Sequence, residues 1–186
     1  MYLASNLTIM ATTKWAIDPT HSEIHFKVKH LMITTVTGSF NSFTAAAETE
    51  AEDFSGAAIS FSADTASVDT GNEQRDGHLK SADFFDAEKF PALSFKSTSY
   101  TKKGGDEYVL TGDLTIKDVT KPVTLSVEFG GVAKDPWGNT KAGFTLSGKI
   151  NRKDFGLNWN AVTEAGGLLV SEEVKLSAEI QLVKQA

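Results

Sequence analysis

Apolar residues recur at every second position through most of this chain, and a period of two admits β-strands and little else. The pattern is cleanest where Val174, Leu176, Ala178, Ile180 and Leu182 alternate with Lys175, Ser177, Glu179 and Gln181. A strand of this kind is apolar on one face and wet on the other, so it belongs to a sheet with one buried side. The same reading covers Ser22 to His30, where Ile24, Phe26 and Val28 face inward, Glu23, His25, Lys27 and Lys29 face outward, and His30 ends the inward parity. Val36 to Phe43 continues it with Gly38 and Phe40 on one parity, and the glycine inside the run is expected to mark a bend or bulge. Ala45 to Asp53 is acidic and built of small residues, and reads as a loop or a fraying hairpin end. Ala57, Ile59, Phe61 and Ala63 then define a strand, as do Leu93 with Phe95, Tyr108 to Ile116, Val123 to Phe129, and Phe144 to Ile150. Turn signals separate these runs at Lys102 to Asp106, Lys117 to Pro122 and Asp135 to Asn139.

About eight strands on short turns, with almost no helix, predict an all-β chain closed as an antiparallel up-and-down eight-stranded barrel, with a sandwich as the alternative. The inward parity mixes small residues (Ala57, Ala63, Gly112, Gly148, Ala178) with large ones (Phe26, Phe61, Phe95, Leu114, Phe144, Ile180). Gaps beside the small residues would leave an apolar tunnel, on the order of 20 to 25 Å long for strands of this length. A fully packed interior is the alternative.

One stretch departs from the alternation. Gly71 to Pro91 (GNEQRDGHLKSADFFDAEKFP) has charge and helical spacing, and predicts a short helical insertion near residues 72–90 lying across one end of the barrel. Asp76 and Lys80, four apart, are placed to pair on one helical face. Arg75, Asp76 and His78 are expected with His30 at a barrel mouth, where the forked donors of arginine suit a phosphate or carboxylate. Alternatively Arg75 and Asp76 only tie the helical turn to a neighbouring strand. Leu79 falls on the same turns, with Glu73 or Asp83 turned outward. Phe84 and Phe85 diverge by about 100° on a helical turn, so one is expected to face the lumen and the other to pack on the rim with Phe90. The residues expected to contact a ligand are therefore Phe26, Val28, Phe40, Phe61, Phe95, Leu114 and Phe144 in the wall, with His30, Arg75, Asp76, His78, Leu79, Phe84 and Phe85 at the mouth.

Other chemistries find little support. A net charge of −6, without a lysine and arginine cluster, argues against nucleic acid as a partner. The chain has no cysteine, hence no disulfide and no thiolate metal site. Gly143 to Lys149 (GFTLSGK) matches most of a phosphate loop, but Ile150 stands where the metal-binding hydroxyl is required and the run alternates as a strand. No G-x-S-x-G elbow occurs, and His21, His25, His30 and His78 lack the spacing of a zinc site, so no catalytic residue, metal or cofactor is assigned. With 186 residues, one domain over 14–186 is expected after a flexible extension over 1–13, in which the Asn6 glycosylation pattern is discounted and Met10 is an alternative start. The first 14 residues have neither a basic start nor a long apolar run, which leaves no standard signal peptide and cytoplasmic residence as the expectation. No stretch is long enough for a membrane-spanning helix.

The ordered motifs WAIDPTHSEIHFKVKH (Trp15 to His30), TGSF (Thr37 to Phe40), RDGHLKSADFFDAEKFP (Arg75 to Pro91), GDLTIKDVTKPV (Gly112 to Val123) and NRKDFGL (Asn151 to Leu157) resemble those of the YceI-like polyisoprenoid-binding family. The resemblance runs from Trp15 to Val183. It implies a lipocalin-like barrel whose apolar lumen holds an isoprenoid or similar fatty amphiphile without a catalytic step, and it makes a homodimer an expectation. A stress-response or structural barrel without lipid, and a hydrolase using the mouth residues, are the competing readings. Members are mostly periplasmic, so periplasmic residence after removal of a leader is the alternative to the cytoplasm.

Overall fold

The computed structural model describes residues 11–186. The Asn6 pattern, Met10 and most of the expected extension lie outside them. Among the described residues there are eleven strand segments and one α-helix: β1 (Thr13–Ile17), β2 (Glu23–His30), β3 (Thr34–Phe40), β4 (Phe43–Thr49), β5 (Ala58–Asp64), β6 (Val68–Asp69), α1 (Glu73–Lys80), β7 (Ala92–Gly104), β8 (Glu107–Ile116), β9 (Val119–Lys134), β10 (Thr140–Asn151) and β11 (Glu173–Lys184). Among the described residues no helix is long and apolar enough to cross a membrane.

The eleven segments make eight lanes. β1 and β2 lie end to end along β11, with Ile17 opposite Leu182 and Phe26 opposite Leu176. β3 and β4 share the second lane and β5 and β6 the third, and β7 to β11 then follow as antiparallel neighbours. Pairing of β1 with β11 closes the ring and removes the sheet edge that an open sheet would expose. The eight-stranded up-and-down barrel is thus the fold, and the sandwich is set aside.

The first three lanes are broken where short polar residues hydrogen-bond locally instead of extending the ladder. Lane one breaks at Pro19–His21, where the Asp18 carboxylate accepts from the Thr20 amide at 3.1 Å. Lane two breaks at Asn41 and Ser42, whose side chains donate to Asp69 at 3.1 Å and Asp64 at 2.7 Å across the break in lane three. The strand expected over Val36 to Phe43 therefore ends at Phe40. The stretch expected as a loop from Ala45 is strand as far as Thr49: Ala45 to Glu48 pair with Phe61 to Ala58 on one side, and Ala46 to Thr49 with β1 on the other. Closure of the ring recruits an alanine-rich run whose own strand propensity is weak.

Gly38 produces no bulge. The β2–β3 ladder passes through it, and the Phe26 ring lies on its bare backbone so closely that a Cβ there would sit 2.2 Å from Phe26 Cζ. Gly112 is covered by the Phe95 ring in the same way. The space expected beside Gly112 is thus filled by a phenylalanine, and that beside Gly148 by the Leu125 side chain. Register shifts fall instead at Ser97/Ser99, Lys102/Gly104 and Gly143/Phe144. The GFTLSGK run lies inside β10, hydrogen-bonded to both β9 and β11, and forms no anion-binding loop.

Strand direction gives the barrel two different ends. At the end holding Thr49, Gly104 and Lys134, the segment after β4 folds inward and buries Phe54, 1% exposed, among Trp15 (5.0 Å between ring centroids), Phe144 (5.0 Å) and Phe129 (5.7 Å). This aromatic layer is the floor. At the other end β6 pairs with β3 but not with β7, and α1 with the turns that follow it covers the gap. Asn72 caps α1 by accepting from the Arg75 amide at 2.9 Å, and the helix stops at Ser81. The helical insertion is therefore two turns long, followed by hydrogen-bonded turns up to Phe90.

A candidate binding cavity under the helical cover

The barrel encloses a cavity of about 840 Å³. Floor residues Phe54, Tyr100 and Phe144 bound it below, and the wall contributes Phe26, Val28, Phe40, Phe61, Phe95, Leu114, Leu125 and Ile180. No aspartate or glutamate lies on its lining, although acidic residues outnumber basic ones in the chain 24 to 18. Phe95 and Phe144 are buried, whereas Phe26 and Phe61 are only half-buried because one face of each ring looks into the open lumen. At about 30 Å³ per water-sized group, the volume admits on the order of 28 non-hydrogen atoms. Such a volume falls inside the usual range for small-molecule sites, and its lining is predominantly apolar, as is usual for them.

All seven wall residues singled out in the sequence line this cavity, as do His30, Arg75, His78, Leu79, Phe84 and Phe85 at the mouth. Asp76 does not. Its carboxylate turns away and accepts from the Thr70 amide at 2.8 Å and the Thr70 hydroxyl at 2.6 Å. Arg75 grips the same residue, its Nε donating to the Thr70 hydroxyl at 2.7 Å and a terminal nitrogen to the Thr70 carbonyl at 2.8 Å. The pair thus ties the helix to the end of β6, and the expected Asp76–Lys80 ion pair is not formed because Thr70 has taken the carboxylate. Arg75 keeps a surface on the cavity while it does this.

Phe84 and Phe85 are both buried and both line the cavity, which corrects the expectation that one would leave for the rim. Phe85 packs edge-on against Phe40 at 5.6 Å. Phe84 packs with Trp159 at 5.5 Å and against the His78 ring at 5.1 Å. A left-handed residue at Asp86, φ 49°, turns the chain away after the pair. Phe90 contributes no lining; its carbonyl accepts from the Thr65 hydroxyl at 2.7 Å and its ring carries the Lys89 ammonium at 5.4 Å.

Two mouth residues were not legible in the sequence. Arg152, 3% exposed, donates from Nε to the Ser171 carbonyl at 2.9 Å and from its terminal nitrogens to the carbonyls of Leu157 (2.6 Å), Trp159 (2.7 Å) and Val170 (3.3 Å). One guanidinium therefore clips together the two arms of the segment between β10 and β11, and burial pulls its pKa below the ordinary value, with the Glu172 carboxylate acting in the opposite sense. Trp159, held on that segment, meets the His78 ring edge-on at 4.6 Å, while His78 Nε2 lies 2.8 Å from the Asp83 carboxylate. Arg152 sits in the NRKDFGL motif, so its position was visible but its environment was not; Trp159 lies where no periodicity remains. At the floor, the Tyr100 hydroxyl is buried without a hydrogen-bond partner among the described residues, and burial pushes its pKa up, the neighbouring Tyr108 and Asp53 adding to it. Among the described residues no three His, Asp or Glu side chains gather as metal ligands.

A profile of the YceI-like domain matches residues 15–182. A UPF0312 protein of Staphylococcus aureus is 39% identical over 170 residues, which cover 91% of this chain and 96% of that protein. Among solved structures, the YCEI protein of Campylobacter jejuni superposes with a TM-score of 0.73 at 34% identity, over 85% of this chain and 90% of that one. A polyisoprenoid binding domain from Saccharophagus degradans, implicated in plant cell wall breakdown, has the same fold at 13% identity, with a TM-score of 0.65 and coverage of 92% and 98%.

Proposed function

The chain belongs to the YceI-like family, and on that basis we propose that it binds a long-chain isoprenoid or a related amphiphilic lipid inside the barrel, without chemical change. The observation that carries this reading is the closed-floored cavity of about 840 Å³, with its continuous aromatic and aliphatic lining. A chain of about 25 to 30 carbons, five or six isoprene units, would fill it at the usual volume per group. Burying such a chain removes apolar surface from water on both partners, which is the dominant favourable contribution for a ligand of this kind.

The polar groups gather at the mouth, where Asn72, Gln74, Arg75 and His78 lie beside the open end of the apolar lumen. This arrangement suits a ligand whose head stays near water while its tail runs toward Phe54. Holding rather than cleaving is supported by how these groups are engaged: Arg75 on Thr70, His78 on Asp83, Arg152 on four carbonyls. The polyisoprenoid-binding domain with the same fold gives the tail its proposed chemistry.

Purified protein, unfolded in organic solvent and analysed by mass spectrometry, should release one reproducible class of prenyl or fatty amphiphile in near-stoichiometric amount. Absence of any such species, together with failure to take up an added polyprenol, would leave the ligand-free structural barrel as the better reading. Release of a cleaved lipid would point to the hydrolase.

A further inference from the structure

The hairpin that joins β2 to β3 projects from the mouth, and it ends in three apolar residues that the fold leaves in water. Leu31 is 40% exposed, Met32 59% and Ile33 76%. The backbone makes their identity stranger. Leu31 and Met32 both have left-handed φ, 52° and 60°, positions that glycine and asparagine occupy at least cost. A bulky apolar pair is thus kept at a turn where it is conformationally unfavourable and where much of its surface stays in water. The adjoining segment is tied to this tip by the Leu31 amide, which donates to the Leu169 carbonyl at 2.8 Å, and it exposes a further apolar side chain, Val162, at 74%.

The wall beneath the tip carries the second observation. Lys27 on β2 stands directly opposite Lys175 on β11, and Lys175 directly opposite Lys149 on β10. All three are on the outward parity and exposed, and Lys29 lies one step nearer the tip on the same face. Like charges directly opposite on neighbouring strands repel. Among the described residues, Lys149 has Glu173 at 3.4 Å as its ion-pair partner, while Lys27, Lys29 and Lys175 have none. A chain of net charge −6 concentrates a cationic row at its mouth end in which, among the described residues, only Lys149 has an ion-pair partner.

We propose that this end of the barrel docks on an anionic lipid bilayer, with Leu31, Met32 and Ile33 inserted among the head groups and Lys27, Lys149 and Lys175 against lipid phosphates. Lys27 lies four positions before Leu31, on the order of 13 Å along the strand, so the barrel rests tilted with the β2–β11–β10 wall toward the membrane. The mouth then opens onto the source of a water-insoluble ligand. The surface chemistry stands whether or not the cavity is filled.

Sedimentation with sucrose-loaded vesicles tests this directly, using phosphatidylcholine alone against phosphatidylcholine with about 30 mol% phosphatidylglycerol. The protein should pellet with the anionic vesicles and be released as salt rises from about 50 to 500 mM, which shortens the screening length roughly threefold. K27Q/K149Q/K175Q should lower the partition coefficient on the order of 100-fold, at about fivefold per lysine near the surface. L31N/M32G should also lose binding while unfolding at a higher temperature than the parent, because those residues relieve the turn, so the loss cannot be blamed on misfolding. Equal binding to neutral vesicles, or tip and lysine variants that pellet like the parent, would overturn the proposal. So would a tip variant that changes the solution mass without changing vesicle binding, since the tip would then be a contact between copies of the chain. The protein is used as purified, so a preparation that carries no lipid and takes up no added polyprenol disposes of the cavity reading and leaves this test intact.

Discussion

Replacing Arg152 by methionine removes the clip on the segment between β10 and β11 while keeping an unbranched side chain of similar reach. Three of its contacts are short, at 2.6, 2.7 and 2.9 Å, and one is long at 3.3 Å. Hydrogen bonds from a charged donor contribute roughly 1.5 to 3 kcal/mol each, so the three short ones amount to about 4 to 9 kcal/mol. Against this, a buried guanidinium carries a desolvation cost of several kcal/mol that the apolar side chain does not. The difference leaves the variant destabilised by about 3 kcal/mol, with the carbonyls of Leu157, Trp159 and Ser171 losing this donor while that of Val170 keeps the Asn160 side-chain amide at 2.8 Å. Urea unfolding should show the midpoint shift with little change in slope, and hydrogen exchange should rise first in residues 157–171. Trp159 fluorescence should shift to the red as the segment loosens over His78 and Phe84. Arg152→Lys should recover part of the stability, because a compact ammonium reaches fewer carbonyls than a fork. An Arg152→Met protein as stable as the parent, with unchanged exchange over 157–171, would show that the clip does not hold the segment.

Phe85→Ala should cost about 3 kcal/mol and reduce lipid retention together, since the ring packs on Phe40 and also bounds the cavity; Phe84→Ala should widen the mouth and speed lipid exchange, and unchanged retention in both would refute the lining role. Gly38→Ala places a Cβ 2.2 Å from Phe26 Cζ, so the ring must leave its position at a cost of about 1 to 3 kcal/mol, read as a lowered melting temperature. Asp18 is held well below the usual carboxylate range by Lys141 at 2.7 Å, then by Thr20 and His21. A lowered folded pKa gives stability that is complete above the unfolded value of roughly 4 and is lost as pH falls below it. Asp18→Asn should therefore be less stable at pH 7 and show a flatter decline below pH 4, and parallel pH profiles for the two proteins would contradict the pairing.

The period of two in β2, β5, β8, β10 and β11 specified which residues face inward, because a slip of one residue would put Phe26 or Phe144 in water. The barrel and most of its lining were legible for that reason. Ala45 to Thr49 was not, because its pairing comes from ring closure rather than from its own propensity, and the break after Phe40 was hidden by an alternation that runs through Asn41 and Ser42 to Phe43. At the mouth the residue types were legible and their partners were not. Arg75 and Asp76 look like a head-group site in sequence, yet both are occupied by Thr70, a residue five or six positions earlier that only the fold of β6 and α1 brings back. Arg152 shows the converse: a buried cation is the least expected reading of a lysine- and arginine-containing turn, and four carbonyls from distant parts of one loop make it possible.

The breaks in the first three lanes have a kinetic consequence. They divide those lanes at one level, so that β2, β3, β6 and α1 form a unit joined to the rest through the β11 ladder, the hydrogen bonds of Lys29 and Leu31 to Ser171 and Leu169, the packing of His78 on Trp159, and the polar contacts of Asn41, Ser42 and Ser67, while β7 to β10 run unbroken from floor to mouth. A unit bounded in this way can open with a free energy well below that of global unfolding. The residence time of a molecule in the lumen is then governed by the opening of that flap and the melting temperature by the long hairpins, so a substitution in the Phe54 floor should alter heat resistance while leaving the dissociation rate nearly where it was.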